Sequence, residues 1–154
     1  MESDYENLLL AASDPKIWEQ HPQPNRYQHE VFKDFFSEAM NSKGALVIID
    51  KANQQIIGTS RYYDYSDKTS SVIIGYTFMM RKYWGGRYNK ELKKLMVNHA
   101  LGFVKTTFFQ VGILNTRSQK AMAKIGGINT GIQEIRISYG PPKKSYVYKI
   151  ERPI

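Results

Sequence analysis

The sequence from Arg81 to Asn89 reads RKYWGGRYN, and it joins an apolar segment ending at Met80 to a helical pattern beginning at Asn89. A glycine turn between a strand and a helix exposes backbone N–H groups at the positive end of the helix dipole, where phosphate binds. The stretch contains neither the P-loop nor the dinucleotide-binding glycine pattern. A tight turn with basic neighbours has the same composition. By itself, the stretch therefore predicts either a phosphate site or such a turn.

The apolar patterns on both sides of this turn predict a mixed α+β fold. Two helices at the start are followed by three strands joined by short turns, which are therefore antiparallel. A helix, a strand, a second helix and two strands come next, and this order predicts one parallel pairing. The predicted helices are residues 5–12, 27–40, 89–104 and 115–125, and the predicted strands are residues 45–50, 55–63, 71–79, 106–114, 128–139 and 145–150.

The helix predicted over residues 89–104 has one apolar stripe, which we expect to face the core. The stripe consists of Leu92, Leu95, Met96, His99, Ala100 and Phe103. Lys90, Lys93 and Lys94 lie largely off it. His99 is accordingly predicted to be a core histidine.

An ordered series of motifs extends from residue 73 to residue 127. Its segments are Ile74–Phe78, Tyr83–Gly85, Tyr88–Lys93, Asn115–Ala121 and Ile125-Gly126. The series strongly resembles the GCN5-related N-acetyltransferase (GNAT) superfamily, and within it the branch of ribosomal-protein N-terminal acetyltransferases. The resemblance implies an α+β fold, with a mixed central sheet and flanking helices, in one acetyltransferase-like domain over residues 1–154. The family's first strand, which would precede residue 1, is expected to be missing.

The resemblance also implies an enzyme that transfers acetyl from acetyl-coenzyme A directly to an amine, either a protein N-terminus or a small-molecule amine. The strand end would pair with the pantetheine arm, and the turn would hold the pyrophosphate. Asn115 and Ser118 would face the coenzyme, although helix capping suits both residue types equally. The implied cofactor-binding residues are Phe78, Met79, Met80, Trp84, Gly85, Gly86, Arg87, Tyr88, Asn89, Asn115 and Ser118.

Two positions depart from the family pattern. Ile73 occupies a position where relatives of this branch often carry glutamate, and isoleucine cannot accept a proton. Arg87 replaces the second glycine of the phosphate turn. Its side chain would either point outward and pair with a phosphate or crowd the turn.

Direct transfer to an amine needs a base, donors for the oxyanion and a proton source for the leaving thiolate. Backbone N–H groups around Met79 are candidates for the oxyanion. The candidates for the base are Glu19 and His21, and histidine has the more suitable ordinary pKa. Ser118 is also a catalytic candidate, because the resemblance implies that it faces the coenzyme. Both base candidates also fit an ordinary surface loop, and a water relay would need neither.

Composition and charge narrow the function classes. The 154 residues contain no cysteine, which excludes a thiol nucleophile and thiolate metal sites, and the three histidines lack metal-ligand spacing, so no metal is expected. Residues 1–80 hold 7 basic and 11 acidic residues, whereas residues 81–154 hold 15 basic and 3 acidic residues. The basic half predicts an anionic partner or a solvated face. With no targeting signal and no membrane-length apolar run, a cytoplasmic protein without a membrane partner is expected.

Two other functions stay open at this point. A non-catalytic coenzyme A-binding regulator would explain the departures at Ile73 and Arg87. A nucleic-acid-binding module would explain the basic half, but the absence of a recognition motif disfavours it. The acceptor and the choice between monomer and homodimer do not follow from the sequence.

Overall fold

The computed structural model describes residues 1–137 and 140–151. The four helices are α1 (Tyr5–Ala12), α2 (His29–Ser42), α3 (Tyr88–Ala100) and α4 (Thr116–Lys124). The six strands are β1 (Ala45–Asp50), β2 (Gln55–Ser66), β3 (Ser71–Met79), β4 (Thr106–Gly112), β5 (Ile128–Ile135) and β6 (Lys143–Glu151). Over these residues, every helix is too short or too polar to span a membrane.

The strands form one six-stranded sheet in the order β1-β2-β3-β4-β6-β5. The pairs β1–β2, β4–β6 and β5–β6 are antiparallel, and β3–β4 is parallel. The parallel pair follows the crossover through α3, because two parallel neighbours need such a connection. The mixed α+β fold predicted from the sequence is confirmed, and the predicted parallel pairing is that of β3 with β4.

The contacts divide the chain into two compact units, and the first comprises Met1–Arg61 and Tyr76–Gly85. Its core is formed by the apolar faces of α1 and α2 and by the end of β3. Trp18 is fully buried there, and its indole N–H donates to the Ala12 carbonyl at 2.8 Å. The core residues are Leu8, Ala11, Ala12, Ile17, Trp18, Phe32, Phe35 and Phe78.

The second unit comprises Tyr62–Gly75 and Gly86–Ile154. Its main core cluster is Ile74, Met96, Val97, Phe109, Val111, Met122 and Tyr148. The ladder between β3 and β4 runs from Ser71 paired with Thr106 to Ile73 paired with Phe108. Both strands continue beyond this ladder within the unit, β3 through Gly75 and β4 through Gly112. The second unit thus contains the start of β3, the helix α3 and the strand that α3 leads to.

Several element ends differ from their predicted positions. Helix α2 begins at His29 rather than Tyr27, because Gln28 has extended dihedral angles and occupies the N-cap. Strand β2 continues past the predicted end at Tyr63 to Ser66, although Asp64 within this extension has a φ of 48°. The strand predicted over residues 128–139 ends at Ile135, and Ser138 and Tyr139 lie outside the described residues.

Candidate active site

Strand β3 has a distorted backbone close to its carboxyl end. Tyr76 has a φ of 52°, in the left-handed region that non-glycine residues rarely occupy. Such a residue inside a strand is typical of a bulge, which re-aims the backbone beyond it. Backbone strain of this kind persists where the surrounding structure holds it, often at functional sites. The three residues predicted to meet the pantetheine arm follow directly after this distortion.

Phe78 and Met80 direct backbone groups toward β2. The Met80 N–H donates to the Ile57 carbonyl at 2.8 Å. The Phe78 carbonyl lies so close to Gly58 that a Cβ atom there would be 2.1 Å from its oxygen. Because backbone groups alternate along a strand, the Met79 N–H faces the opposite edge of β3. Met79 therefore offers a donor on the side that β2 does not use, while its carbonyl accepts the indole N–H of Trp84 at 2.9 Å.

The chain then makes a short 3₁₀ turn, Arg81–Tyr83, and reaches the two glycines. Gly85 has a φ of 73°, so this position specifically favours glycine. A Cβ atom built on Gly85 has no neighbour within 4 Å among the described residues. One built on Gly86 meets only the Tyr88 ring, at 4.0 Å. The glycines thus leave open space beside the backbone, which is the space a bound phosphate would need.

Arg87 occupies the N-cap position of α3. Its φ of −74° and ψ of −22° are ordinary for a side-chain-bearing residue, so arginine causes no backbone strain where the family pattern has glycine. The arginine side chain has no acceptor atom, and within the described part of the chain no side chain caps this helix end. The first turn of α3 therefore retains the N–H groups and positive dipole that attract anions.

The basic residues flanking the turn differ in their contacts. Arg81 is paired with Asp14, with Nε 2.5 Å from the carboxylate, and this hydrogen bond lowers the pKa of Asp14. Lys82 donates to Gln55 Oε1 at 3.0 Å. The Arg87 side chain is exposed. Of the three flanking cations named here, Arg87 is the one on the helix end itself.

Asn115 is the N-cap of α4. Its Oδ1 accepts the Ser118 backbone N–H at 3.1 Å, and the side chain is buried. The hydroxyl of Ser118 is on a half-buried residue in the first turn. The Asn115 side chain is therefore a helix cap, one of the two roles predicted for it from the sequence. Contact of either residue with a coenzyme stays a prediction.

The two base candidates have different surroundings. His21 is half-buried, and its ring packs edge-on against Trp18 with 5.1 Å between the centroids. Its backbone N–H donates to the Trp18 carbonyl at 2.9 Å. Glu19 is exposed. The imidazole of His21 is thus the one held in place by a fixed ring, and its role as a base stays a prediction.

Comparison with protein-family models shows to which family the chain belongs. The model of the acetyltransferase (GNAT) domain family matches residues 1–128. The chain belongs to the GNAT acetyltransferase family. This membership confirms the acetyltransferase class and the acetyl-coenzyme A co-substrate predicted from the sequence. A search of curated proteins gives no match.

Solved structures of other GNAT acetyltransferases have the same fold. An acetyltransferase from Bacillus anthracis is 20% identical, with a TM-score of 0.79, and the match covers 98% of this chain and 90% of that one. The microcin C7 self-immunity acetyltransferase MccE, solved with acetyl-CoA and AMP, is 17% identical, with a TM-score of 0.76 and coverage of 99% and 89%. Spermidine N-acetyltransferase from Vibrio cholerae, solved with CoA and spermine, is 11% identical, with a TM-score of 0.74 and coverage of 98% and 91%.

The buried face of α3 in this GNAT acetyltransferase differs from the predicted stripe. The buried residues are Lys93, Met96, Val97 and Ala100. Leu95 and Phe103 are 65% and 77% exposed, and His99 is also exposed, so the prediction of a core histidine is wrong. The error arises because Leu95 lies on the solvent side of α3 and Phe103 lies beyond the end of α3 at Ala100, whereas a lysine occupies the buried face.

Lys93 is therefore a residue that the sequence interpretation missed. Its side chain is 8% exposed, and its Nζ lies 4.9 Å from the centroid of the Phe109 ring. Burial lowers the pKa of Lys93 to about 8. Residues 93, 96, 97 and 100 have helical spacing. A pattern that allowed a lysine at a buried position would have identified this face.

Proposed function

We propose that this GNAT acetyltransferase transfers acetyl from acetyl-coenzyme A directly to the nitrogen of an amine, either a small molecule or a protein N-terminus. The observation that carries the proposal is the turn before α3. Gly85 adopts a left-handed conformation with open space beside it, and the helix that follows has at its N-cap an arginine whose side chain cannot accept a hydrogen bond. Family membership supplies the donor, and this geometry is suited to the donor's phosphates.

The pyrophosphate is assigned to the backbone from Trp84 to Asn89, with the first-turn N–H groups of α3 as donors. The Arg87 side chain, being exposed at the helix end, adds a positive charge there. At the thioester end of the pantetheine arm, the Met79 N–H is the donor that β2 leaves available for the thioester carbonyl oxygen, because the Met80 N–H is bonded to Ile57. The N–H groups of Phe78 and Met80 are directed at β2, so these two residues contribute to the site through the shape of the strand end.

Acetyl-coenzyme A supplies a thioester whose carbonyl carbon is attacked by the amine nitrogen. The protein's task is to remove a proton from the ammonium form of the acceptor and to stabilise the negative oxygen. We assign the first task to His21, with Glu19 as the second candidate, and the second task to the backbone N–H of Met79. As the new C–N bond forms and the C–S bond breaks, the nitrogen loses its second proton and the thiolate gains one, and the Ser118 hydroxyl is the candidate that relays a proton to the sulfur.

The first experiment is calorimetric titration of acetyl-coenzyme A into three forms of the protein: wild type, Gly85→Ala and Gly126→Ala. Gly126 is a matched control, because its φ of 79° is close to that of Gly85 and its Cβ position is equally open. Both substitutions introduce the same backbone strain, but only one adds a methyl group where phosphate is expected to bind.

We expect Gly85→Ala to weaken acetyl-coenzyme A binding at least tenfold, a loss of about 1.4 kcal/mol or more, and Gly126→Ala to leave it within about twofold. Equal effects of the two substitutions would contradict the assigned phosphate turn. Binding without acetyl transfer to any amine would instead favour a coenzyme-binding regulator, which the isoleucine at position 73 makes a specific alternative.

A further inference from the structure

Two buried arginines lie against the same pair of aromatic rings in the first unit. Arg26, just before α2, is 9% exposed, and Arg61, on β2, is 5% exposed. The guanidinium carbon of Arg26 is 4.7 Å from the Phe35 ring centroid and 6.0 Å from that of Tyr76. The guanidinium carbon of Arg61 is 5.6 Å and 4.2 Å from the same two centroids. Two positive charges are thus concentrated around one aromatic pair.

The geometry limits how far apart these charges can be. Since both guanidinium carbons lie near the Tyr76 ring, they are within about 10 Å of each other. At that separation in a protein interior the two cations repel each other. The aromatic faces compensate part of this cost, as do the contacts that both arginines make within the protein, such as the bond from Arg61 Nη2 to the Phe35 carbonyl at 3.4 Å. An anionic ligand in contact with both groups would add to this compensation.

A stacked guanidinium is well prepared for a ligand. It has five N–H donors in a planar fork, so it can bond to the protein and to an anion at the same time. Arg26 already uses its Nε to donate to Gln23 Oε1 at 3.0 Å, which fixes the plane of the group. Packing against Phe35, which is 3% exposed, holds it on the other side. Such a preorganised fork matches a carboxylate or a phosphate.

The arginine cluster includes Tyr76 from the distorted end of β3, and Arg26 packs on the same ring as the base candidate His21. Tyr76 is the half-buried residue with the left-handed backbone, three positions before Met79. Arg26 lies 5.7 Å from the Trp18 ring centroid, and His21 packs on that same ring. The base candidate and one guanidinium therefore share a fixed support within the first unit.

From this cluster we infer that Arg26 and Arg61 bind an anionic group, a carboxylate or a phosphate, carried by the amine that the enzyme acetylates. The inference rests on the proposed acetyl transfer and specifies its acceptor. An amine with an adjacent anion is favoured, and a polyamine without one is disfavoured, because its additional cations would be repelled by the two arginines.

The test uses matched amines with the enzyme saturated with coenzyme A, so that no transfer occurs. Calorimetry gives the Kd of tyrosine against tyramine, and of O-phosphoethanolamine against ethanolamine. The first pair tests a carboxylate and the second a phosphate, while the amine is otherwise retained. The same titrations are made on Arg26→Lys and Arg61→Lys, which keep the charge and lose the fork, and on Lys33→Gln, which removes an exposed charge from α2.

We expect the anionic member of at least one pair to bind at least tenfold more tightly than its neutral partner. That preference should fall below threefold in Arg26→Lys and Arg61→Lys and persist in Lys33→Gln. Equal affinity within both pairs, or a preference that survives both arginine substitutions, would overturn the inference.

Coenzyme A binding, measured first on each variant, keeps the two proposals distinct. A folded wild-type protein that does not bind coenzyme A would contradict the proposed function itself. Normal coenzyme binding without an anionic preference would contradict only the arginine site. Retained coenzyme binding by the arginine variants also shows that they are folded.

Discussion

Replacing Lys93 by methionine removes a buried amine while retaining most of the side-chain volume. In the native protein, Lys93 is 8% exposed and contacts the Phe109 ring. Methionine fills the same space without a polar group, and buried charges replaced by apolar groups of similar size are often neutral or stabilising. We therefore expect Lys93→Met to raise the free energy of unfolding at neutral pH.

The magnitude follows from the pKa of Lys93, which burial lowers from 10.5 to about 8. At about 1.4 kcal/mol for each pH unit, the difference corresponds to about 3 kcal/mol against the charged form at pH 7. The contact between the ammonium group and Phe109 offsets about 1–2 kcal/mol of this. The expected net gain in stability of Lys93→Met at pH 7 is therefore about 1–2 kcal/mol.

The gain should disappear at high pH. Between pH 8 and 10.5 the unfolded chain holds a proton on Lys93 that the folded protein has released, so the stability of the wild type rises with pH across this range. The methionine variant has no such group. The stability difference between the two proteins should therefore be largest at pH 7, at about 1–2 kcal/mol, and should fall close to zero by pH 10.

Urea unfolding of wild type, Lys93→Met and Lys94→Met at pH 7 and pH 10 measures this difference. Lys94 is the exposed neighbour, and its substitution controls for the loss of one charge. A Lys93→Met variant that is less stable than wild type by 1 kcal/mol or more at pH 7 would refute the reasoning. A difference from wild type that does not change with pH would refute it equally.

Three further substitutions test other parts of the structure. Gly58→Ala should destabilise the protein by about 2–4 kcal/mol in urea unfolding, because its Cβ would lie 2.1 Å from the Phe78 oxygen; a loss below 0.5 kcal/mol would show that β2 and β3 are not so close. Asn115→Ala should lower the free energy of unfolding by about 1 kcal/mol in the same assay, because the cap on α4 is lost. An unchanged unfolding midpoint would show that this cap does not stabilise the protein. His21→Gln should lower kcat for acetyl transfer by about 100-fold with acetyl-coenzyme A binding unchanged, whereas equal kcat values would leave Glu19 or a water relay as the base.

Much of the fold could be predicted from the sequence because local signals were consistent. The ends of α1, β1 and β3 agree with the predicted ranges, since polar, glycine or proline-containing segments flank each of them. The buried face of α3 could not be predicted in the same way. Periodicity predicts every apolar residue of the stripe to be buried, whereas tertiary packing buries Lys93 and exposes Leu95.

The candidate site was predictable where it depends on chain-local features. The glycine turn and the start of α3 are visible as a motif, and Asn115 is a typical cap residue. The left-handed conformation of Tyr76 was not visible, because an aromatic residue carries no sequence signal for it. The arginine cluster was also missed. It brings together residues 26, 35, 61 and 76, which are far apart in the chain and become neighbours only on folding.

The central claim is that this chain is an amine acetyltransferase that uses acetyl-coenzyme A, and thiol release in the presence of an amine panel tests it most directly. The panel should contain amines with a carboxylate or phosphate, neutral amines, a polyamine and short peptides with free N-termini, with Gly85→Ala assayed in parallel. We expect release of coenzyme A thiol that requires an amine, matches the acetylated product in amount and falls at least tenfold in Gly85→Ala. A folded protein that binds acetyl-coenzyme A and releases no thiol with any of these amines would contradict it.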